Sequence, residues 1–270
     1  MAALKEGQRR IRMIISYDGT AYVGWQTQPN GTAVQQLIEE AITAVTGERV
    51  SLHGSGRTDS GVHARAQVAH FDTGVRMAAD KFAIALNTHL PRDIRVLYSE
   101  QAPAEFHSRF TAKEKQYRYT VQLGPHALVG TRNTALHFHY PLDVDLMRAA
   151  AADVTGTHDF VGFMSTGTHV EDTVRTVFSS AWTQDGPYLT YAVTGSGFLY
   201  NMVRILVGTM LSIGKHDIAP DAIRRAIETG NRADAGPTAP AHGLTLYAVR
   251  YPDFDTDAIL NGIFSGGSCQ

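Results

Sequence analysis

Between Arg10 and Gln101 the apolar residues change period four times, and the resulting order, β-α-β-β-α-β, admits few folds. Arg10 to Tyr17 reads as a strand, followed by an irregular loop from Asp18 to Gly31. Val34, Leu37, Ile38, Ala41, Ile42 and Val45 then repeat at the helical period, with Thr32 and Gln35 spaced as a capping box and Gly47 as the stop. Val50 to Ser55 and Gln67 to Thr73 read as strands, Ala79 to Leu90 as a helix stopped by Pro91, and Ile94 to about Gln101 as a strand. The second half has a similar plan without a sequence repeat. Its strands are expected at Lys115–Gln122, Val174–Trp182, Tyr188–Gly195 and Leu244–Tyr251, and its helices at Asp143–Val154, Phe198–Ile213 and Pro220–Thr229. Two split units of this kind, joined near Ala102 to Ala112, predict an α+β fold in which edge strands pair into one antiparallel sheet, with helices on one face and a cleft at the join.

That plan gives an N-terminal half over residues 1–108, a C-terminal half over 109–251 and a peripheral tail over 252–270, frayed or helical. The chain has 270 residues, 43% of them hydrophobic, enough to bury a sizeable core. Its formal charge of −2 does not by itself suggest nucleic acid, so an RNA partner would require concentrated positive charge. Candidates are Arg9, Arg10 and Arg12, the Arg57–Arg65 loop, and the run Arg109, Lys113, Lys115 and Arg118. Cys269 is the single cysteine, which excludes an intrachain disulfide or a thiolate metal cluster and suggests a reducing compartment. Met1 to Arg10 lacks the apolar core of a signal peptide, and the longest apolar stretch, Met202 to Ile213, is short and contains Arg204. A cytoplasmic protein without a membrane partner is expected.

The stretch from His53 to His70 is where chemistry is concentrated. Glycines at 54, 56 and 61 cannot belong to regular sheet, so Asp59 sits in a tight connection between two strands, where a backbone can press against a ligand. The composition equally fits a turn in which Thr58, Asp59 and Ser60 bond their own backbone. Arg57, His63, Arg65 and His70 favour a site for an anion, because they put several donors around one acid. Asp72 is the only nearby second acid and lies at the far end of the next strand, which argues against the paired carboxylates of a glycoside hydrolase. The spacing of His53, His63 and His70 matches no metal-ligand pattern, and the glycines are not followed by a phosphate-binding lysine or a dinucleotide fingerprint. Neither a metal nor a cofactor is expected.

Gly56-Arg57-Thr58-Asp59-Ser60-Gly61-Val62-His63-Ala64 resembles the catalytic motif of the tRNA pseudouridine synthase A family. The similarity runs from about Arg12 to Tyr251, through Tyr17-Asp18-Gly19-Thr20, Gly24-Trp25-Gln26, Leu90-Pro91, Phe106-His107-Ser108-Arg109-Phe110 and Lys115-Gln116-Tyr117-Arg118-Tyr119. It continues through Gly156-Thr157-His158-Asp159-Phe160, the Gly197–Arg204 segment and Ala239-Pro240-Ala241-His242-Gly243-Leu244. Ser60 and Ser108 stand where the family usually has alanine, and Ala66 where it often has glycine. The resemblance implies the pseudouridine synthase fold and an isomerase, an intramolecular transferase, acting as a homodimer on uridines 38, 39 and 40 in the anticodon arm of tRNA. It implies Asp59 as the catalytic residue, Arg204 as its neighbouring cation, Tyr117 as the ring that stacks on the substrate base, and Leu244 as an apolar wall opposite that ring. For Arg57 it suggests a contact to the RNA backbone or a place in the vacated stack. A catalytically silent tRNA-binding module on the same fold is the alternative, disfavoured by the joint presence of Asp59, Arg204 and Tyr117.

Overall fold

The computed structural model describes residues 4–165 and 170–265, so Cys269 and the end of the expected tail lie outside the described residues. The chain divides into two compact units, Met1–Lys113 with Leu246–Gln270, and Glu114–Thr245. The first unit opens with β1 (Arg9–Tyr17), α1 (Val34–Thr46), β2 (His53–Gly54), β3 (His63–Thr73), α2 (Lys81–Asn87) and β4 (Ile94–Ala102), in the expected order. The second holds β5 (Glu114–Leu123), β6 (Leu136–Phe138), α3 (Val144–Ala152), β7 (Gly156–Asp159), β8 (Val174–Asp185), β9 (Tyr188–Gly195), α4 (Met202–Gly214) and α5 (Ala222–Thr229). The strand β10 (Leu244–Arg250) begins at the boundary and carries the chain back to the first unit, which α6 (Thr256–Phe264) completes.

The class is α+β, as expected, and its sheet is mostly antiparallel. In the first unit the strands lie in the order β4-β1-β3-β10, with β1 in register against β3 (Ile11 opposite Phe71, Met13 opposite Ala69) and against β4. In the second the order is β5-β9-β8-β7, and β6 runs parallel to β5. Ile11, Met13, Ile14 and Ile15 are fully buried, so β1 has protein on both faces. Helix α1 turns Val34, Ile38, Ala41 and Ile42 inward, and α2 sets Phe82 edge-on to Phe71 at 5.5 Å. In the second unit α4 buries nearly its whole length, and the Trp182 indole N–H points to Met210 Sδ at 3.2 Å.

Several local expectations fail for identifiable reasons. The capping box is absent, because the N-cap of α1 is Ala33 and no side chain caps it. Gln35 instead donates to the Leu52 carbonyl at 3.0 Å and accepts the Thr27 N–H at 3.1 Å. That contact also explains why the strand expected over Val50–Ser55 shrinks to His53–Gly54. With its carbonyl on Gln35 and its N–H on Glu39 at 2.9 Å, Leu52 has its backbone groups satisfied by helix side chains before any ladder forms. Helix α4 starts at Met202 rather than Phe198, since Asn201 adopts a left-handed conformation at φ 60° that ends the preceding turn.

Two members of the first expected basic patch are structural. Arg10 and Arg12 are 4% and 5% exposed. Arg10 forms a two-pronged pair with Asp72 at 2.8 Å for each bond and also donates to the carbonyls of Ala104 and Phe106. Arg12 pairs with Glu100 and Asp253, and its guanidinium lies 4.1 Å from the Phe254 ring centre. A buried guanidinium spent on carboxylates cannot contact phosphate, so these residues hold the first unit together.

Candidate active site

Asp59 is half-buried at the centre of the connection between β2 and β3, and three layers of contacts fix that connection. At its entry the fully buried Gln67 accepts the Ser55 hydroxyl at 2.6 Å and donates to the Gly56 carbonyl at 2.9 Å. Beneath it the Tyr17 hydroxyl shares a 2.7 Å hydrogen bond with Thr58, and burial pushes the Tyr17 pKa up, so the phenol stays neutral. Across it runs the segment after β1, with the Trp25 N–H on the Thr58 carbonyl at 3.1 Å and the Gly61 N–H on the Tyr22 carbonyl at 3.4 Å. Two glycines permit this approach. A Cβ at Gly19 would lie 2.0 Å from the Val62 carbonyl oxygen, and one at Gly24, where φ is +107°, would lie 2.4 Å from that of Thr58. The Val62 N–H returns to the Asp59 carbonyl at 3.1 Å and closes the turn. Asp59 is therefore presented from a rigid scaffold.

The cluster of donors expected around the acid is smaller than the sequence suggests. His63 is buried, and its Nδ1 accepts the Gly19 N–H at 3.0 Å. The same nitrogen lies 3.2 Å from Asp18 Oδ1. For the Asp18 carboxyl, burial acts to raise the pKa, but the Thr20 hydroxyl and N–H at 2.6 and 2.9 Å, together with the neighbouring His63, outweigh it and hold the group below the ordinary range. Arg65 turns away to Asp257 at 2.7 Å, and His70 shares a bond with the Ser108 hydroxyl at 2.9 Å. Arg57 remains exposed.

Asp59 and Arg57 belong to the first unit, whereas Tyr117, Arg204 and Leu244 belong to the second, where they gather around one segment. Arg204 is half-buried, with its Nε on the Ala239 carbonyl and one terminal nitrogen on Asn201 Oδ1, both at 2.8 Å. The Ala239 N–H bonds back to the Arg204 carbonyl at 3.0 Å. The next carbonyl, that of Pro240, accepts the Tyr119 hydroxyl at 2.8 Å, and the Tyr119 ring packs so closely on Gly243 that a Cβ there would lie 2.5 Å from it. Residues 239–243 are thus clamped between α4 and β5, and they deliver Leu244, 5% exposed, at the head of β10. Tyr117 lies two residues before Tyr119 on the same face of β5 and meets Phe198 edge-on at 5.3 Å.

Reasoning from sequence gave no role to Tyr17, Gly19, Gly24 or Gln67, which shape the Asp59 loop. The two glycines carried a signal in Asp18-Gly19 and Gly24-Trp25, turn pairs inside a long irregular segment. Gln67 carried none, since a polar residue in a strand is ordinarily taken to face water.

Comparison with known proteins agrees with the motif. A family described as tRNA pseudouridine synthase matches residues 13–111 and 150–252, so Asp59 and Arg57 fall in the first span and Arg204 and Leu244 in the second. The chain is 46% identical over 244 residues to a tRNA pseudouridine synthase A of Bacillus pumilus, covering 90% of this chain and 99% of the relative. It is likewise 46% identical over 244 residues to that of Bacillus subtilis and 45% identical over 246 residues to that of a Geobacter species. Among solved structures, a Cbf5-Nop10-Gar1 complex matches at 12% identity and a TM-score of 0.35, over 91% of this chain and 51% of that one. On the sequence match alone, this chain belongs to the tRNA pseudouridine synthase family.

Proposed function

We propose that this chain isomerises uridine to pseudouridine at positions 38, 39 and 40 in the anticodon stem and loop of tRNA, with Asp59 as the nucleophile. The observation that carries the reading is the single carboxylate held on a glycine-shaped, fully braced loop, in a chain 46% identical over 244 residues to a relative named tRNA pseudouridine synthase A. In the reaction the bond from uracil N1 to ribose C1′ breaks, the base turns, and C5 joins C1′. N1 gains a proton and C5 loses one, so nothing is oxidised or hydrolysed. One carboxylate suffices, by adding to C1′ or to C6 or by assisting proton removal from the sugar. Of the other acids near the loop, Asp72 is committed to Arg10, and Asp18 accepts the Thr20 N–H and hydroxyl.

The target base must first leave its stack, which costs roughly a few kcal/mol. Tyr117, held edge-on by Phe198, is proposed to receive it, with Leu244 as the opposing apolar wall. The exposed Arg57 is assigned to the RNA backbone or the vacated stack. Arg204 is assigned, on the family resemblance, the part of the cation that keeps the nucleophile ionised. A homodimer in the cytoplasm is the assembly and place this reading carries. Among the described residues no helix is long and apolar enough to cross a membrane.

Tritium at uridine C5 tests the reaction, because replacement at C5 frees it to water. The full-length protein is expected to release tritium from a tRNA transcript. Asp59→Asn should abolish release and leave tRNA affinity within about threefold, since phosphate contacts dominate binding. Turnover unchanged in that variant would remove Asp59 from the mechanism.

A further inference from the structure

Between β4 and β5 the chain makes a tight turn that presents a bare aromatic ring to solvent. The His107 carbonyl accepts the Thr111 N–H at 3.0 Å and its hydroxyl at 2.7 Å. The His107 ring nitrogen Nδ1 accepts the Arg109 N–H at 3.1 Å, with the Phe110 N–H at 3.4 Å. An imidazole that accepts at Nδ1 is neutral, and burial, together with neighbouring positive groups, lowers the His107 pKa. Phe110 is 66% exposed, although the backbone carrying it is fixed. Its ring is the outermost of a row. Phe110 lies 4.4 Å from His107, His107 lies 4.7 Å from His70, and His70 stacks on His53 at 5.1 Å. The Arg109 guanidinium lies 5.7 Å from the Phe110 ring centre and has no carboxylate partner among the described residues. His53 belongs to β2, the strand that opens the Asp59 loop, so this row of rings borders the entry to that loop.

We propose that the turn from His107 to Thr111 is a stacking platform for one unpaired base of the RNA substrate, received on the Phe110 ring, with Arg109 taking the adjoining phosphate. The inference rests on the RNA-modifying reading given above. An exposed aromatic on a rigid backbone is a poor feature for solubility alone but a good one for a nucleobase, because stacking gains area without ordering a flexible side chain. A cation beside it without an acidic partner complements a phosphate and leaves an apolar protein partner with a charge to bury. The imidazoles of His107 and His70 behind the ring, both with lowered pKa values, extend its polarisable surface without repelling a base.

Phe110→Ala, Phe110→Trp and Arg109→Gln in the full-length protein, each titrated with tRNA by anisotropy and assayed for C5 tritium release, test the platform. Loss of one stacked base corresponds to about 1–3 kcal/mol, so Phe110→Ala should weaken tRNA binding about 5- to 150-fold and raise KM, while kcat at saturation stays near that of the parent. Phe110→Trp should restore affinity. Arg109→Gln should lower the slope of log affinity against log salt by about one. As a readout needing no variant, tRNA carrying 4-thiouridine in its anticodon loop should photocrosslink to a peptide containing Phe110. Unchanged affinity in Phe110→Ala, or crosslinks elsewhere only, overturns the platform and leaves the proposed reaction standing. So does a Phe110→Ala variant that turns from dimer to monomer in light scattering, which would make this face an interface between copies. A parent protein that releases no tritium from any tRNA overturns the reaction itself, and the platform with it.

Discussion

Gln67 shows how much the position of one carboxylate depends on a residue with no chemistry of its own. Its amide is fully buried and bonded to the entry of the Asp59 loop, accepting the Ser55 hydroxyl and N–H and donating to the Gly56 carbonyl. Gln67→Leu nearly preserves volume but takes the amide from the Gly56 carbonyl and one partner from the Ser55 hydroxyl in a dry site, which costs about 1–3 kcal/mol. Urea unfolding should show that loss as a lower midpoint with an unchanged slope. Activity should fall further than stability suggests, because a displacement of about 1 Å in a reacting group can cost on the order of a hundredfold. The fall is expected in kcat rather than KM, since Gln67 is too deep to touch RNA. A variant with a lowered midpoint and full kcat would show that the loop keeps its shape without this clamp. Such residues are illegible in a sequence. Asp59 stands out in the sequence because glycines and basic residues crowd around it, and Arg204 is singled out by the family resemblance. Gln67 and Tyr17 look like any polar or aromatic member of a strand, and their importance lies in which turn they face.

At the scale of elements, a period was readable wherever one side of an element met the core and the other met solvent. Helix α1 announced itself through Val34, Ile38 and Ile42, and β9 through strict alternation of exposure. The failures were at ends, where side chains from other elements decide. Gln35 went to Leu52 instead of closing a capping box, and Asn201 delayed α4. The short β6 and β7 have too few residues to show any period. Helix α6 has a sound local signal in Asp255, which caps it by accepting the N–H groups of Asp257 at 2.9 Å and Ala258 at 3.4 Å. For Asp255 burial acts to raise the pKa, but Arg250 and the two cap N–H groups outweigh it and hold the pKa below the ordinary carboxyl value. The folded chain therefore releases this proton more readily than the unfolded chain, and the group stabilises the fold above the unfolded pKa. As pH falls through about 4 the unfolded chain binds the proton first and that contribution is lost. Asp255→Asn keeps a cap oxygen but cannot titrate. The parent should be the more stable of the two at about pH 6, and the gap should narrow as pH falls below about 4, closing once the folded chain also binds the proton. A gap that is constant with pH would mean that the Asp255 charge adds nothing to the fold.

For the whole molecule, the feature least visible in sequence is that the last strand and helix return to the first unit. Residues 246–265 have their own strand and helix signals, but nothing local says which half they serve. The long-range contacts decide it. Arg12 uses Asp253 at 2.8 Å and the Phe254 ring, Arg65 uses Asp257, and the Tyr251 hydroxyl donates to the Ser108 carbonyl at 2.6 Å. A chain ending at Thr245 would keep Glu100 and the Phe106 ring as partners of Arg12 but lose Asp253 and the Phe254 ring, and β3 would lose most of the strand beside it. Water screens the lost carboxylates on their exposed sides, but their loss adds to that of the Phe254 and Tyr251 contacts and of a strand, against a total domain stability of only about 5–15 kcal/mol. The shortened chain is therefore expected to lose the first unit, including the loop that carries Asp59, while the second unit keeps its own core of α4 against β8 and β9. Hydrogen exchange distinguishes the two. Amides of His63–Thr73 should exchange within the dead time in the shortened chain, while those of Tyr188–Gly195 stay protected. Full protection of both strands would mean that the β-α-β-β-α-β segment holds its fold without the strand that follows the second unit.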